Sequence, residues 1–148
     1  MDSLEDLQAI EEIRRLKARY FRSLDAKDWV GFGEVFAEDA RLDVTEEAGG
    51  AEPVVGRADI VELVRRVVGE AVSIHHGHTP EITIESSDAA TGTWAMEDRL
   101  FWPEGSPLRS MHGYGHYHER YRRTAEGWKI ERMLLTRLRL ERERAPRA

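Results

Sequence analysis

The chain contains no cysteine, and that absence removes three possibilities together: a disulfide framework, a thiolate zinc site and a cysteine nucleophile. Long apolar runs are missing as well, so no segment reads as a membrane-spanning helix. The opening "MDSLEDLQAI" is acidic and polar, unlike a secretory or mitochondrial targeting segment, and a cytoplasmic location is expected. Positive charge is also in short supply. The formal net charge is −6, whereas a nucleic-acid partner calls for a basic face, so none is expected. The exception is the tail "RLRLERERAPRA", where arginines gather over residues 137–147. Its alternation of Leu with Arg predicts an edge strand running into a solvated end.

What is present is ordinary for a soluble globular protein: 41% hydrophobic and 34% charged residues. With 148 residues, one domain spanning 1–148 is expected, burying about two-thirds of the surface of its unfolded chain. Ser3-Leu4-Glu5-Asp6 is a helix start with a carboxylate three residues after the cap. Leu7, Ile10, Ile13, Leu16, Tyr20, Phe21 and Leu24 then recur at three- and four-residue spacing. That predicts one amphipathic helix of roughly six turns. Asp25-Ala26-Lys27-Asp28 reads as the cap of a shorter helix carrying Trp29, Phe32 and Phe36. "ARLDV" and "AEPVV" read as short strands around an acidic, glycine-containing loop, and Ala58 to Val68 as a third helix.

After Gly69 the period changes to two. Residues 71–85, 90–102, 109–124 and 127–141 are strand-like and are separated by Ser86-Ser87-Asp88, Glu104-Gly105-Ser106 and Glu126-Gly127. Helices first and an antiparallel meander afterwards define an α+β layout. Such a sheet covers one face with its helices and, if curved, leaves a pocket.

Some polar residues share a face with apolar ones. Between Ala90 and Trp102, alternation puts Asp98 with Trp94, Met96, Leu100 and Trp102. A carboxylate there needs a partner; it is either a hydrogen-bonded structural group or a functional one. Tyr20 lies on the apolar stripe of the first helix, as a core tyrosine or a site residue. Asp25 ends that helix, where its charge opposes the helix dipole, and it alternatively caps the next one.

The stretch "IHHGHTP" holds three of the six histidines. Alternation turns His76 and His78 inward with Val72, Ile74, Ile82 and Ile84, and leaves His75 outside. Gly77 and Pro80 are residues of bulges and edges, however, and a bulge reverses facing by one residue. His76-x-His78 and His116-Tyr117-His118 each set two imidazoles on one strand face, an arrangement that suits a first-row metal.

The segments "IRRLKARYFRSLDAKDW", "IHHGHTPEITIESSDAATGTWAMED" and "ERYRRTAEGWKI" resemble the SnoaL-like branch of the nuclear transport factor 2-like superfamily. Within that branch the likeness is nearest to the bile acid 7α-dehydratases, and more distant to scytalone dehydratase and hexachlorocyclohexane dehydrochlorinase. It is dense over residues 10–29, 72–101 and 115–131, and thin over 30–70 and 102–114. The resemblance implies a cone-shaped cystatin-like roll, with three helices packed in a curved antiparallel sheet around an apolar cavity. A homodimer or homotrimer is implied, as is chemistry without metal or organic cofactor.

Matched residue by residue, the family's site falls on Tyr20, Asp25, His75 and Asp98 as catalytic groups. The resemblance thus turns His75 inward and implies an irregularity near Gly77. His78, Trp94, Tyr117 and Arg137 are the implied substrate contacts, although the Leu/Arg pattern alone leaves Arg137 solvated. His76 matches an apolar family position and takes no catalytic role. Trp94, Trp102, Met111 and Tyr114 fall where they would reshape the pocket.

The implied activity is elimination of water from a small, apolar, hydroxylated and carbonyl-activated molecule of steroid or polyketide type. His75 would be the base, Asp25 its orienting partner, and Tyr20 or a protonated Asp98 the donor to the departing oxygen. Isomerisation, cyclisation and dehydrohalogenation would use similar residues, and a non-catalytic carrier of the same fold is the alternative from another class.

Overall fold

The computed structural model describes residues 2–43 and 52–147. Helix α1 spans Leu4–Asp25 and is closed at its start by a reciprocal capping box, Ser3 Oγ accepting from the Asp6 N–H while Asp6 accepts from the Ser3 N–H. Of the predicted stripe, Ile13, Leu16, Tyr20 and Leu24 are buried, while Ile10 and Phe21 are half-buried and Leu7 is exposed; Ala9 and one charged residue, Lys17, join the buried face. Helix α2 (Trp29–Glu34) is capped by Asp28, not Asp25, and Phe36 opens strand β1 (Phe36–Asp43) instead of ending the helix. Strand β2 is short, Val54–Val55. The acidic loop expected between these strands lies outside the described residues. Helix α3 is Arg57–Val68.

Four long strands follow: β3 (Val72–Ser86), β4 (Ala89–Phe101), β5 (Leu108–Thr124) and β6 (Gly127–Arg144). Among the described residues they join β1 and β2 in one six-stranded sheet of order β2-β1-β6-β5-β4-β3. Successive long strands pair antiparallel, as expected. The β1–β6 pair is parallel instead, which only a long crossover allows; here α3 and the whole meander supply it. The three helices pack on the curved sheet around one core that includes Ile13, Phe32, Phe36, Ile60, Tyr121 and Ile130.

Two local expectations are corrected. Strand β6 pairs with β1 as far as Leu134 and beyond it only with β5 among the described residues, so the Leu/Arg tail is an edge strand as expected, but its facing is not the expected one. There Met133, Leu135 and Arg137 face inward, while Leu138 is 76% exposed, so the Leu/Arg alternation reads with its faces exchanged. The reversal of facing in β3 exists, but it falls two residues beyond Gly77. The register slips by one residue between His78↔Ala95 and Glu81↔Thr93, and Thr79 adopts φ 33°. Ser73, His75 and Gly77 therefore face inward before this bulge, and Ile82 and Ile84 after it.

Candidate active site

The concave side of the sheet holds a cavity of about 480 Å³, within the range of small-molecule sites. Leu24, Leu42, Leu63, Val64, Leu100, Trp102, Met111 and Leu135 contribute its apolar wall. Tyr20, His75, Asp98, Tyr117 and Arg137 converge on it as polar groups, and Glu52 and Arg142 also line it.

Asp25 is positioned by the end of α1, where the chain leaves the helix through Lys27 in a left-handed conformation, φ 60°. Its carboxylate faces β3, the last strand of the sheet among the described residues. Oδ2 accepts from the His75 backbone N–H at 2.9 Å; Oδ1 lies 2.7 Å from His75 Nδ1 and accepts from Ser73 Oγ at 3.0 Å. Ser73 Oγ in turn accepts from Lys27 Nζ at 2.7 Å. Burial holds the Lys27 ammonium below the ordinary lysine range, against the opposing pull of Asp25. A carboxylate can only accept, which assigns the proton of the neutral imidazole to Nδ1 and leaves the lone pair on Nε2. Nε2 faces the cavity, 3.9 Å from Asp98 Oδ2.

Asp98 is buried, as strand alternation predicts, and Arg137 crosses from β6 to meet it. Nη1 and Nη2 reach Oδ1 and Oδ2 at 2.6 and 2.9 Å, a forked, charge-assisted pair. Glycine at 113 makes room for it: a Cβ there would collide with Arg137 Nη1 and Asp98 Oδ1. With both oxygens accepting, Asp98 is built as an anchored carboxylate; the expectation of a protonated Asp98 donating to a departing oxygen is corrected accordingly.

Tyr20 and Tyr117 meet edge to face, with ring centroids 5.9 Å apart. Burial, with the Glu119 charge adding, pushes the Tyr20 phenol far above the ordinary tyrosine range, and burial does the same to Tyr117. Both therefore remain neutral O–H donors. Tyr20 Oη lies 3.7 Å from Met133 Sδ, a weak acceptor that a substrate oxygen would outcompete.

Behind the two phenols lies a polar group that pattern reading misses. Lys17 Nζ, fully buried, stands 3.7 Å from the centroids of both Tyr20 and Tyr117 and donates to Glu119 Oε2 at 2.7 Å. Glu119 Oε1 accepts from Tyr121 Oη at 2.7 Å, and Tyr121 Oη from Trp94 Nε1 at 2.8 Å. Burial lowers the Lys17 ammonium to about 8, with Glu119 opposing. The available signals were Lys17 four residues after Ile13 and three before Tyr20, and Glu119 and Tyr121 sharing a strand face with Tyr117. Ser73, Lys27 and Gly113 were also missed; of these only Ser73, which shares facing with His75, had a periodic signal.

Two implied contacts lie elsewhere. His78 is on the outer sheet face, 55% exposed beside Glu97, because the bulge comes after it and not before. Trp94 is a core residue packed over Gly77 and committed to Tyr121. Trp102 and Met111 line the cavity, whereas Tyr114 is on the outer face with His112. Among the described residues, the imidazole and carboxylate atoms close enough to share a metal ion are those of His76, His78 and Glu97, also outside.

Fold and cavity together define helices packed on a curved sheet around a cavity lined by buried polar groups. Residues 5–134 match the SnoaL-like domain, and the chain belongs to that family. Among solved structures, it is similar to a Novosphingobium aromaticivorans protein named as an aromatic ring hydroxylase, at 27% identity and TM-score 0.80, over 97% of this chain and 96% of the other. A second protein of that organism, named for scytalone dehydratase, superposes at TM-score 0.83 with 18% identity, over 97% and 93%. The type 3 hexachlorocyclohexane dehydrochlorinase of Novosphingobium barchaimii gives 0.80 and 19%, over 96% and 94%. At such identities the last two speak to the fold, a cystatin-like roll whose known members include enzymes.

Proposed function

We propose that the chain is a cofactor-independent lyase that eliminates water from an apolar, hydroxylated substrate activated by a carbonyl group. The observation that carries this reading is the His75–Asp25 pair, whose Nε2 opens into an apolar cavity beside two neutral phenols. His75 Nε2 takes the proton α to the carbonyl, and Asp25 stabilises the imidazolium that forms. Tyr20 donates to the enolate oxygen, supported by Tyr117. As the enolate collapses, the bond from the β carbon to its hydroxyl breaks, and the imidazolium returns its proton to the departing hydroxide. Water and a conjugated carbonyl product leave, and His75 is neutral again. Arg137, held by Asp98, positions a polar end of the substrate. The cavity suits a steroid- or polyketide-like skeleton, and we expect a homodimer or homotrimer.

A turnover screen against hydroxylated 3-oxo steroids and smaller β-hydroxy ketones, followed by conjugated absorbance, tests this. Turnover is expected, and His75→Ala should lower it by about 10²–10⁴-fold. Turnover unchanged in His75→Ala would remove His75 as the base. Tight binding without turnover in either protein would convert the reading to a carrier.

A further inference from the structure

Five of the six histidines lie away from the cavity, on the outer sheet face shared by His76, His78, His112, His116 and His118. Three of them surround one carboxylate. We propose that His76, His78 and Glu97 form a binding site for a divalent transition-metal ion of the zinc class, with His112 orienting the carboxylate.

His76 and His78 project from the same face of β3, ring centroids 6.0 Å apart. Glu97 is the direct cross-strand neighbour of His76 on β4. Its Oε1 lies 3.8 Å from His76 Nδ1 and 3.8 Å from His78 Nε2. All three candidate ligand atoms fall within 4.8 Å of one another. Ligands about 2.1 Å from a tetrahedral ion are separated by roughly 3.4 Å, so small rotations of two solvent-exposed imidazoles close the set.

The other oxygen, Oε2, lies 3.2 Å from His112 Nε2, and His112 Nδ1 lies 3.3 Å from Tyr114 Oη. A chain of donation from Tyr114 to His112 to Glu97 fixes the carboxylate, the supporting layer that metal ligands commonly have. Among the described residues, the ion-pair partners of Glu97 are these imidazoles, with no lysine or arginine competing for it. Two nitrogens and one oxygen from the protein leave at least one position for water. The ion would clasp β3 to β4 beside the Thr79 bulge, one residue from His75.

The test is direct titration of chelator-stripped full-length protein with Zn²⁺ alone, by competition with a chromogenic indicator, and with Co²⁺ for its visible spectrum. One ion per chain is expected at a Kd of ~10 μM or tighter, with a higher Tm at saturating Zn²⁺. His76→Gln and Glu97→Gln should each weaken binding at least tenfold, and His112→Phe about tenfold. His116→Gln should bind as the parent does. All four positions are on the outer face, and circular dichroism checks that each variant folds. Binding unchanged in the His76→Gln/His78→Gln double variant, or no stoichiometric binding by the parent, would overturn the proposal.

Discussion

The imidazole of His75 has one nitrogen committed to a hydrogen bond and one facing the cavity, and the difference comes from a single carboxylate. Asp25 collects the backbone N–H of His75, its Nδ1 and the Ser73 hydroxyl, so ring orientation and tautomer are fixed before any substrate arrives. Asp25→Asn keeps the shape but can present an amide N–H to Nδ1 and favour the wrong tautomer. It should reduce kcat by about 10²–10⁴-fold with little change in KM, measured on whichever substrate the screen identifies. Gly113 acts one step further out. Gly113→Ala would push its new methyl into the Arg137–Asp98 fork and should lower kcat/KM by roughly 10–100-fold, the scale of a small misplacement in a preorganised site. A Gly113→Ala enzyme as active as the parent would mean that the fork does not matter to turnover. Asp98 was legible because an aspartate stood among Trp, Met and Leu at period two. Arg137 was legible only through the family likeness, because leucine and arginine alternate evenly there and the pattern alone left it solvated.

At the scale of elements, α1 and β5 are joined by the buried Lys17–Glu119 pair, and β3 changes facing midway. The helices and the meander were readable because each is long and strongly periodic. The bulge was readable only as a possibility, since Gly77 and Pro80 both signal irregularity while the extra residue lies between His78 and Glu81. Family likeness, not periodicity, turned His75 inward, and the two-residue offset of the bulge is why His78 was misassigned. The Lys17–Glu119 pair was missed although each member lay on an apolar face, because the partners are 102 residues apart and a lysine on an apolar stripe ordinarily reaches solvent. Removing one member of such a pair strands a buried charge, whereas replacing both does not. Lys17→Met should therefore destabilise the fold by about 3–5 kcal/mol in urea unfolding. Adding Glu119→Gln, whose amide oxygen still accepts from Tyr121, should recover most of that loss. A double variant as unstable as the single one would show that packing of the lysine stem, not its charge, matters at this contact.

For the whole molecule these buried groups set how stability responds to alkaline pH. The folded chain holds Lys17 at about 8, against 10.5 for an ordinary lysine. Between those values the unfolded chain binds more protons than the folded one, so stability increases as pH rises through this window. Below about 8 the charged, buried form is present and the cost of its burial is felt in full. Tyr20, Tyr117 and Tyr121 work in the opposite sense: burial raises all three phenols above the ordinary value of 10. Above about pH 10 the unfolded chain releases protons that the folded chain keeps, and stability falls. The two effects together predict a maximum on the alkaline side. Relative to the Lys17→Met/Glu119→Gln protein, the parent should gain stability, on the order of 1–2 kcal/mol, between about pH 8 and pH 9.5. Both proteins should then lose stability above about pH 10, because both retain the three tyrosines. Urea midpoints measured in parallel at several alkaline pH values separate the contributions, since surface charges common to both proteins cancel in the difference. A flat difference across that interval would mean that the folded protein holds the Lys17 proton as firmly as the unfolded chain does, so that burial does not lower this ammonium.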